Sequence, residues 1–305
     1  MTKIRMAAPT RRWHNRGMIY RLHHATAYEY AYPVVLGTHF MHLLPRERAG
    51  QYIRESNLAI SPAPDNQRDE VDHFGNITTT VSVTAPHKKF VVTLSATVDV
   101  EQPAPPAPEE TILWEDIAAT AIRRTDTAEF CLASPLATPN EDIAAYAAGS
   151  FPPGRPILAG LLELNRRVFT DMRYRSGVTH TGTTAMQVLK TKSGVCQDYA
   201  HLMIAALRAL GLPARYISGY LRTYPVDGKE KHRGADQSHA WVSAWIGDSH
   251  GWVDFDPTNN LLVSDEHVTL AWGRDFQDVS PLRGIILGGG RHSLRVNVDL
   301  DPVLT

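Results

Sequence analysis

Cysteine is scarce in this chain, with only Cys131 and Cys196 among 305 residues. Two thiols so far apart cannot make the disulfide framework of a small secreted domain, and they read as reduced thiols of a cytoplasmic protein. Long apolar runs are also missing. The longest fall well short of the roughly 20 residues a membrane-spanning helix needs, so a soluble chain without a membrane partner is expected. Charge of one sign is absent as well: 31 Lys and Arg stand against 32 Asp and Glu, for a formal net charge of −1. That balance gives no electrostatic reason to expect nucleic acid or an anionic surface as partner. No HExxH motif and no EF-hand spacing occurs, and His39 and His42 share a strand-like run without a carboxylate motif beside them. Neither a metal nor a cofactor is therefore expected.

What is present falls into two parts. Residues 1–17, MTKIRMAAPTRRWHNRG, are basic, yet no apolar stretch follows them, which argues against a secretory signal. They are expected to form a disordered leader, with the folded chain starting near Met18. From 18 to 100 the chain is rich in alternating Val, Ile, Thr and Tyr, as in MIYRLHHATAYEYAY, YIRESNLAIS, NITTTVSVTA and KFVVTLSATVDV. With turn clusters SPAPDNQRD and HFGN between them, these runs predict a small antiparallel β domain. A proline-rich link follows at 101–110, EQPAPPAPEE, and the remainder, 111–305, is expected to be a second domain with a helical lead-in.

In that lead-in, EDIAATAIRR, NEDIAAYAAGS and RPILAGLLELNRRVF have helical apolar spacing, and Asn140 ahead of Glu141 and Asp142 is a helix-start signal. A further helix is expected from Cys196 to about Leu210, closed by Gly211 and Pro213, with Leu202, Met203, Ala206, Leu207 and Leu210 on its apolar face. Strands ARYISGYLR, HAWVSAWI and GWVDFDP come next. The polar stretch 222–237 before the second of these is expected to be a loop beside the cleft that sets selectivity.

Cys196 alone is ambiguous, because most lone cysteines are packing residues. A helix start changes its chemistry, since unpaired N–H groups and the macrodipole favour a negative sulfur and can receive an oxyanion. His239 opens a strand whose one face carries His239, Trp241, Ser243 and Trp245, and Trp252, Asp254 and Asp256 share a face of the next. If Gly247-Asp248 is a two-residue turn, Ile246 faces Ser249 and His239 faces Asp256. A longer turn through Gly251 shifts that pairing. The order Cys196, His239, Asp256 then fits nucleophile, base and orienting carboxylate.

These blocks, SGVCQDYAHLMIAALRALGLPARYISGYL, SHAWVSAW and GWVDFDPTNN, resemble the transglutaminase-like superfamily. YRLHHATAYEYAYPVVLGTHFMHLLPRE and DHFGN resemble the β-rich N-terminal domain of its bacterial members. The resemblance implies an α+β fold with a papain-like core, in which a helix bearing the cysteine packs on an antiparallel sheet. It also implies Cys196 as nucleophile, His239 as base and Asp256, the aspartate before Pro-Thr, as third member. Val195 and Gln197 stand where animal transglutaminases have Gln and Trp, so protein cross-linking does not carry over.

The expected reaction is acyl transfer from a peptide or protein amide through a thioester, resolved by water as in a peptidase or amidase. Transfer to an amine, as by a protein-glutamine gamma-glutamyltransferase, and a non-catalytic peptide-binding module are the alternatives. Trp241, Asp236 and Tyr199 are candidate substrate contacts, with core packing the competing role for Trp241. Cys131 and His201 are expected to pack.

Overall fold

The structure is a computed structural model that describes residues 17–224 and 237–303. The expected leader and most of the expected loop at 222–237 lie outside the described residues. The chain begins with five strands, β1 (Met18–Met41), β2 (Gln51–Ser61), β3 (Asn66–Val71), β4 (Ile77–Val83) and β5 (His87–Val100). Alternation sets what each buries: in β5, Phe90, Val92, Leu94, Ala96, Val98 and Val100 all point inward. β1 runs past the expected end by changing partners. Its first half pairs with β5, and from Gly37 it pairs with β4, with the register broken between Glu29 and Val34 around Pro33, which has no N–H to give. β3 falls in a stretch read as a turn cluster. It is exposed throughout and polar up to Val71, an edge strand with no alternation to announce it.

Helices follow as α1 (Trp114–Thr120), α2 (Ala128–Cys131), α3 (Glu141–Ala148) and α4 (Ile157–Asp171). Asn140 caps α3 as its sequence predicts, Oδ1 accepting from the Ile143 N–H at 2.9 Å. Then come β6 (Arg173–Tyr174), α5 (Ala185–Thr191), β7 (Ser193–Gly194) and α6 (Cys196–Ala209). Strands β8 (Ala214–Leu221), β9 (Gln237–Trp245), β10 (Trp252–Asp256), β11 (Leu261–Leu262) and β12 (His267–Gly273) make a second antiparallel sheet in the order β11-β10-β9-β8-β12.

The last two strands, β13 (Leu282–Gly288) and β14 (His292–Pro302), correct the expected boundary at 111–305. Both pair with β1 in the first sheet, so the chain returns to the β domain to finish. Their alternation shows that they are strands, but which sheet receives them is a long-range choice. The two parts also share one core. Tyr20, Leu94, Val98 and Leu300 of the first sheet belong to the same buried cluster as Leu161, Leu202 and Val242.

Helix α6 is the centre of that cluster. Its sequence predicts a single apolar face, but every residue from Asp198 to Arg208 is buried, the pattern of a helix packed on all sides. Two of its polar members bond outside the helix, although His201 Nδ1 has no partner among the described residues. His201 accepts from the Phe276 N–H at 3.2 Å, and Arg208 donates to the carbonyls of Phe130, Ala214 and Arg274 and to Ser134 Oγ.

β12 is the outer strand of the second sheet, and an open edge is a pairing hazard. The β domain covers it with two side-chain amides. Gln51 donates to the Thr269 carbonyl at 2.8 Å and accepts from the Thr269 N–H at 2.7 Å. Asn76 does the same at Trp272, at 2.8 and 2.9 Å. The three-residue step from 269 to 272 follows from the register break between Thr269 and Ala271, which turns both residues outward. Arg46 adds a guanidinium 3.2 Å from the Trp272 ring centroid, and Arg215 stacks at 3.9 Å on the same indole.

Gly219 on β8 lies opposite His239, and a Cβ there would sit 2.3 Å from the Trp241 ring and 2.2 Å from the Val268 carbonyl oxygen. Gly219→Ala therefore forces ring and strand apart. A loss of about 1–3 kcal/mol is expected, read as a fall of several degrees in Tm, whereas an unchanged Tm contradicts the close packing.

Candidate active site

The nucleophile candidate is placed by a short parallel ladder. Tyr174 pairs with Gly194, and the Arg175 N–H donates to the Gly194 carbonyl at 2.9 Å. Gly194 is fixed by crowding, since a Cβ there would lie 2.6 Å from both Cβ and Oδ2 of Asp198. Asp198 in turn closes the helix start: its Oδ2 accepts from the Val195 N–H and from Thr179 Oγ1, both at 2.7 Å. Burial pushes its carboxyl up from the ordinary value, against those two donors. Cys196 follows as the first residue of α6, half-buried, with its backbone N–H at a position the helix ladder leaves unpaired.

His239 and Asp256 meet by a register other than the expected one. The turn after β9 is longer than two residues: the Ile246 N–H bonds to the Gly251 carbonyl, and the Gly251 N–H to the Gly247 carbonyl. The pairs are Trp245 with Trp252 and Ser243 with Asp254, two residues from the expected register. A shift of two keeps every side chain on its face, so His239 and Asp256 remain diagonal neighbours. His239 Nε2 donates to Asp256 Oδ2 at 2.8 Å.

Four more N–H donors complete the carboxylate. Thr258 N and Asn259 N donate to Oδ1 at 2.9 and 3.2 Å, an Asx turn built by the sequence DPTN. Asn259 Nδ2 and His267 Nε2 donate to Oδ2 at 2.7 and 3.3 Å. Asp256 has no exposed surface. Burial would raise its pKa, but His239 and His267 outweigh burial and hold it far below the usual carboxylate range. Burial would likewise lower His239. The Asp256 charge and hydrogen bond, with Cys196 adding to them, push the imidazole up to about 10 instead.

With Nε2 committed to Asp256, Nδ1 is the nitrogen left for Cys196. Cys196 also acts on Tyr174, whose hydroxyl burial pushes up to about 12, so the thiol lies within electrostatic reach of both imidazole and phenol.

The other candidates fall elsewhere. Trp241 is fully buried against Ile217 and Val263, its Nε1 3.3 Å from Asp254 Oδ2, and it presents no surface to a substrate. Tyr199 is 2% exposed with its ring edge-on to Tyr174, and of the two only Tyr174, 40% exposed, reaches the surface. Asp236 lies outside the described residues. Asp254 is drawn away by the ion pair with Arg48 at 2.6 Å, leaving Asp256 as the carboxylate of the cleft. Cys131 packs between the carbonyls of Thr127 and Gly211, its thiol pushed up to about 11 by burial.

Sequence reasoning missed Asn259, Asp198 and His267. The Asx turn at Asp-Pro-Thr-Asn was legible. His267 was not, because it reaches Asp256 from β12, which β8 and β9 separate from β10 in the sheet. His239, Asp256 and His267 are also the one set among the described residues whose His, Cys, Asp or Glu donor atoms gather closely enough for a metal, all within 4.8 Å. In this structure both histidines donate to the Asp256 carboxylate.

The comparisons agree with this geometry. The transglutaminase-like superfamily core matches residues 147–257, and the bacterial transglutaminase-like N-terminal region matches residues 20–99. An uncharacterized protein of Mycobacterium tuberculosis is 39% identical over 293 residues, covering 93% of this chain and 92% of its own. The chain belongs to the transglutaminase-like superfamily.

A crystal structure from Cytophaga hutchinsonii, described as a candidate cysteine protease, superposes with a TM-score of 0.74 at 23% identity, over 95% of this chain and 92% of that one. That likeness establishes the fold, an α+β chain with a papain-like core behind an antiparallel β domain. A protein-glutamine gamma-glutamyltransferase of Pseudomonas aeruginosa is 37% identical over 75 residues, which cover 22% of this chain and 10% of that protein. Family and fold together support cysteine acyl-transfer chemistry in the broad sense.

Two outcomes follow from the electrostatics. Iodoacetamide should alkylate Cys196 at least about tenfold faster than Cys131 at neutral pH, because an imidazolium beside a sulfur favours the thiolate while burial opposes it at Cys131. Equal rates by peptide mass spectrometry contradict this. His239 is raised above its ordinary 6.5, so its stabilising contribution is complete below that pH and is lost as pH climbs through about 10. Asp256 is depressed, so its contribution is present above its ordinary 3.8 and lost in acid. The Tm gap between wild type and His239→Ala should therefore be widest from about pH 4 to 6.5 and shrink toward pH 10; a gap that widens with rising pH contradicts it.

Proposed function

We propose that this protein is a thiol-dependent amide hydrolase acting on a peptide or protein substrate in the cytoplasm. The observation that carries the reading is the buried 2.8 Å contact from His239 Nε2 to Asp256 Oδ2, with Cys196 close enough to add to the rise in the imidazole pKa. An aspartate in that place fixes the ring and its tautomer, as an orienting carboxylate must. Two unpaired thiols suit a reducing compartment.

Cys196 Sγ attacks the amide carbonyl carbon, and the thiol proton resides on His239 Nδ1. The C–S bond forms as the carbonyl π pair moves to oxygen, where the Cys196 N–H stabilises it. When the oxygen re-forms its double bond the C–N bond breaks, and Nδ1–H protonates the leaving amine. Water then attacks the thioester, giving a proton to Nδ1. The C–S bond breaks, releasing the acid and restoring the thiol. Asp256 stays ionised throughout, because five N–H donors stabilise its charge.

Water is the favoured acceptor because the described residues do not enclose the sulfur: Cys196 is half-buried and Tyr174, within its electrostatic reach, is 40% exposed. Excluding water in favour of an amine needs enclosure. Transfer to an amine is the second reading, favoured by the likeness of one segment to the Pseudomonas gamma-glutamyltransferase. The test is to incubate wild type and Cys196→Ala with a peptide library, with and without a labelled primary amine, and to weigh the products. New termini or released ammonia that depend on Cys196 are expected. Amine incorporation alone would replace hydrolysis by transfer, and no Cys196-dependent product would end both readings.

A further inference from the structure

Five N–H groups converge on Asp256, and one of them has no place in a three-residue scheme. His267 is 1% exposed and lies beyond the residues matched by the family core, 147–257. A carboxylate only accepts hydrogen bonds, so His267 Nε2 carries the proton it gives to Oδ2. Its Nδ1 is buried without a partner among the described residues, so the bond to Oδ2 is the one this ring makes there.

What faces the ring explains its job. Asp256 approaches from β10, His239 and Trp241 from β9 with ring centroids 6.1 and 5.2 Å away, and Leu221 of β8 is opposite in the register. Arg48 and Asp254 are tied to each other, and Arg48 also donates to Thr269 Oγ1 at 3.1 Å. Oδ2 has to stay aimed at His239 Nε2, and a second imidazole on the same oxygen resists its swinging away. Among the described residues, the strand that carries this imidazole has no outer partner strand. Two residues from His267, Gln51 takes both backbone groups of Thr269, and Asn76 takes those of Trp272.

We infer that His267 is a positioning residue for the triad, holding Asp256 toward His239, and that the β domain sets its place through Gln51 and Asn76. The inference rests on the proposed triad. It gives the N-terminal domain a part in catalysis without contact with substrate. A residue serving only to fill space would be replaceable by any side chain of similar size, whereas a donor to Oδ2 is replaceable only by another donor.

The test uses the full chain and needs no substrate: the rate of Cys196 alkylation by iodoacetamide is followed across pH, with Cys131 as internal reference and Tm as the check on folding. His267→Leu should lower the rate at neutral pH about tenfold and move the alkaline limb of the profile to lower pH. His267→Gln, whose amide N–H can replace Nε2–H, should stay within about threefold of wild type. Gln51→Ala should shift the profile in the direction of the leucine variant, by about threefold in rate. A folded leucine variant with the wild-type profile, or a glutamine variant as impaired as leucine, overturns the inference. Should the leucine variant not fold, a wild-type profile in Gln51→Ala overturns it. Failure of the triad itself looks different: wild-type Cys196 then reacts no faster than Cys131, or His239→Ala leaves its rate unchanged.

Discussion

A single buried carboxylate organises this protein. Asp256 receives two backbone N–H groups on Oδ1 and an amide and two imidazoles on Oδ2, and it has no exposed surface. A charge taken out of water is costly unless its partners replace the solvent, and here they do so completely enough to keep the group ionised. The requirement propagates outward. β10 must end in the Asx turn, β9 must bring His239 across on the same face, and β12 must fold over far enough to deliver His267.

That last demand links the two parts of the chain. An edge strand positions a catalytic-site neighbour only if something holds the edge, and side-chain amides from the β domain do it with strand-like pairs of hydrogen bonds. Around them lies a layer of guanidinium and indole, with Arg46 and Arg215 on Trp272 and Arg215 also 4.1 Å from the Trp252 centroid. Burial pulls both guanidinium groups down, to about 10 and about 9. The stacked rings offset part of that cost, as do the carboxylates of Asp72 for Arg46 and Asp254 for Arg215. The shared core and the return of β13 and β14 to β1 make the β domain a structural partner of the site instead of an appendage on a proline-rich tether.

Much of this was legible in the residues, and the failures have physical causes. Helix α6, the Asn140 cap and the main β-domain strands follow from apolar spacing and side-chain chemistry. The pairing of His239 with Asp256 survived a wrong turn length because strand faces repeat every two residues, so an error of two alters the register and not the side. Trp241 and Tyr199 share an element and a spacing with the nucleophile or base, which made them candidates. Whether such a side chain lines a cleft or fills a core depends on what packs over it, and Gly219 and Ile217 lie elsewhere in the sequence. His267, Gln51 and Asn76 were silent for the same reason. Each acts across the tertiary fold, and no local pattern marks a histidine or an amide that bonds to a distant strand.

The most direct test of the central role of Asp256 is the titration of His239 followed by nitrogen NMR on histidine-labelled protein, wild type against Asp256→Asn. The expected result is an imidazole that remains doubly protonated well above neutral pH in the wild type, losing its proton near pH 10, and that titrates at or below the ordinary 6.5 once the charge is removed. A wild-type His239 that titrates at 6.5 or lower, unmoved by Asp256→Asn, would contradict the claim that this carboxylate holds the site together.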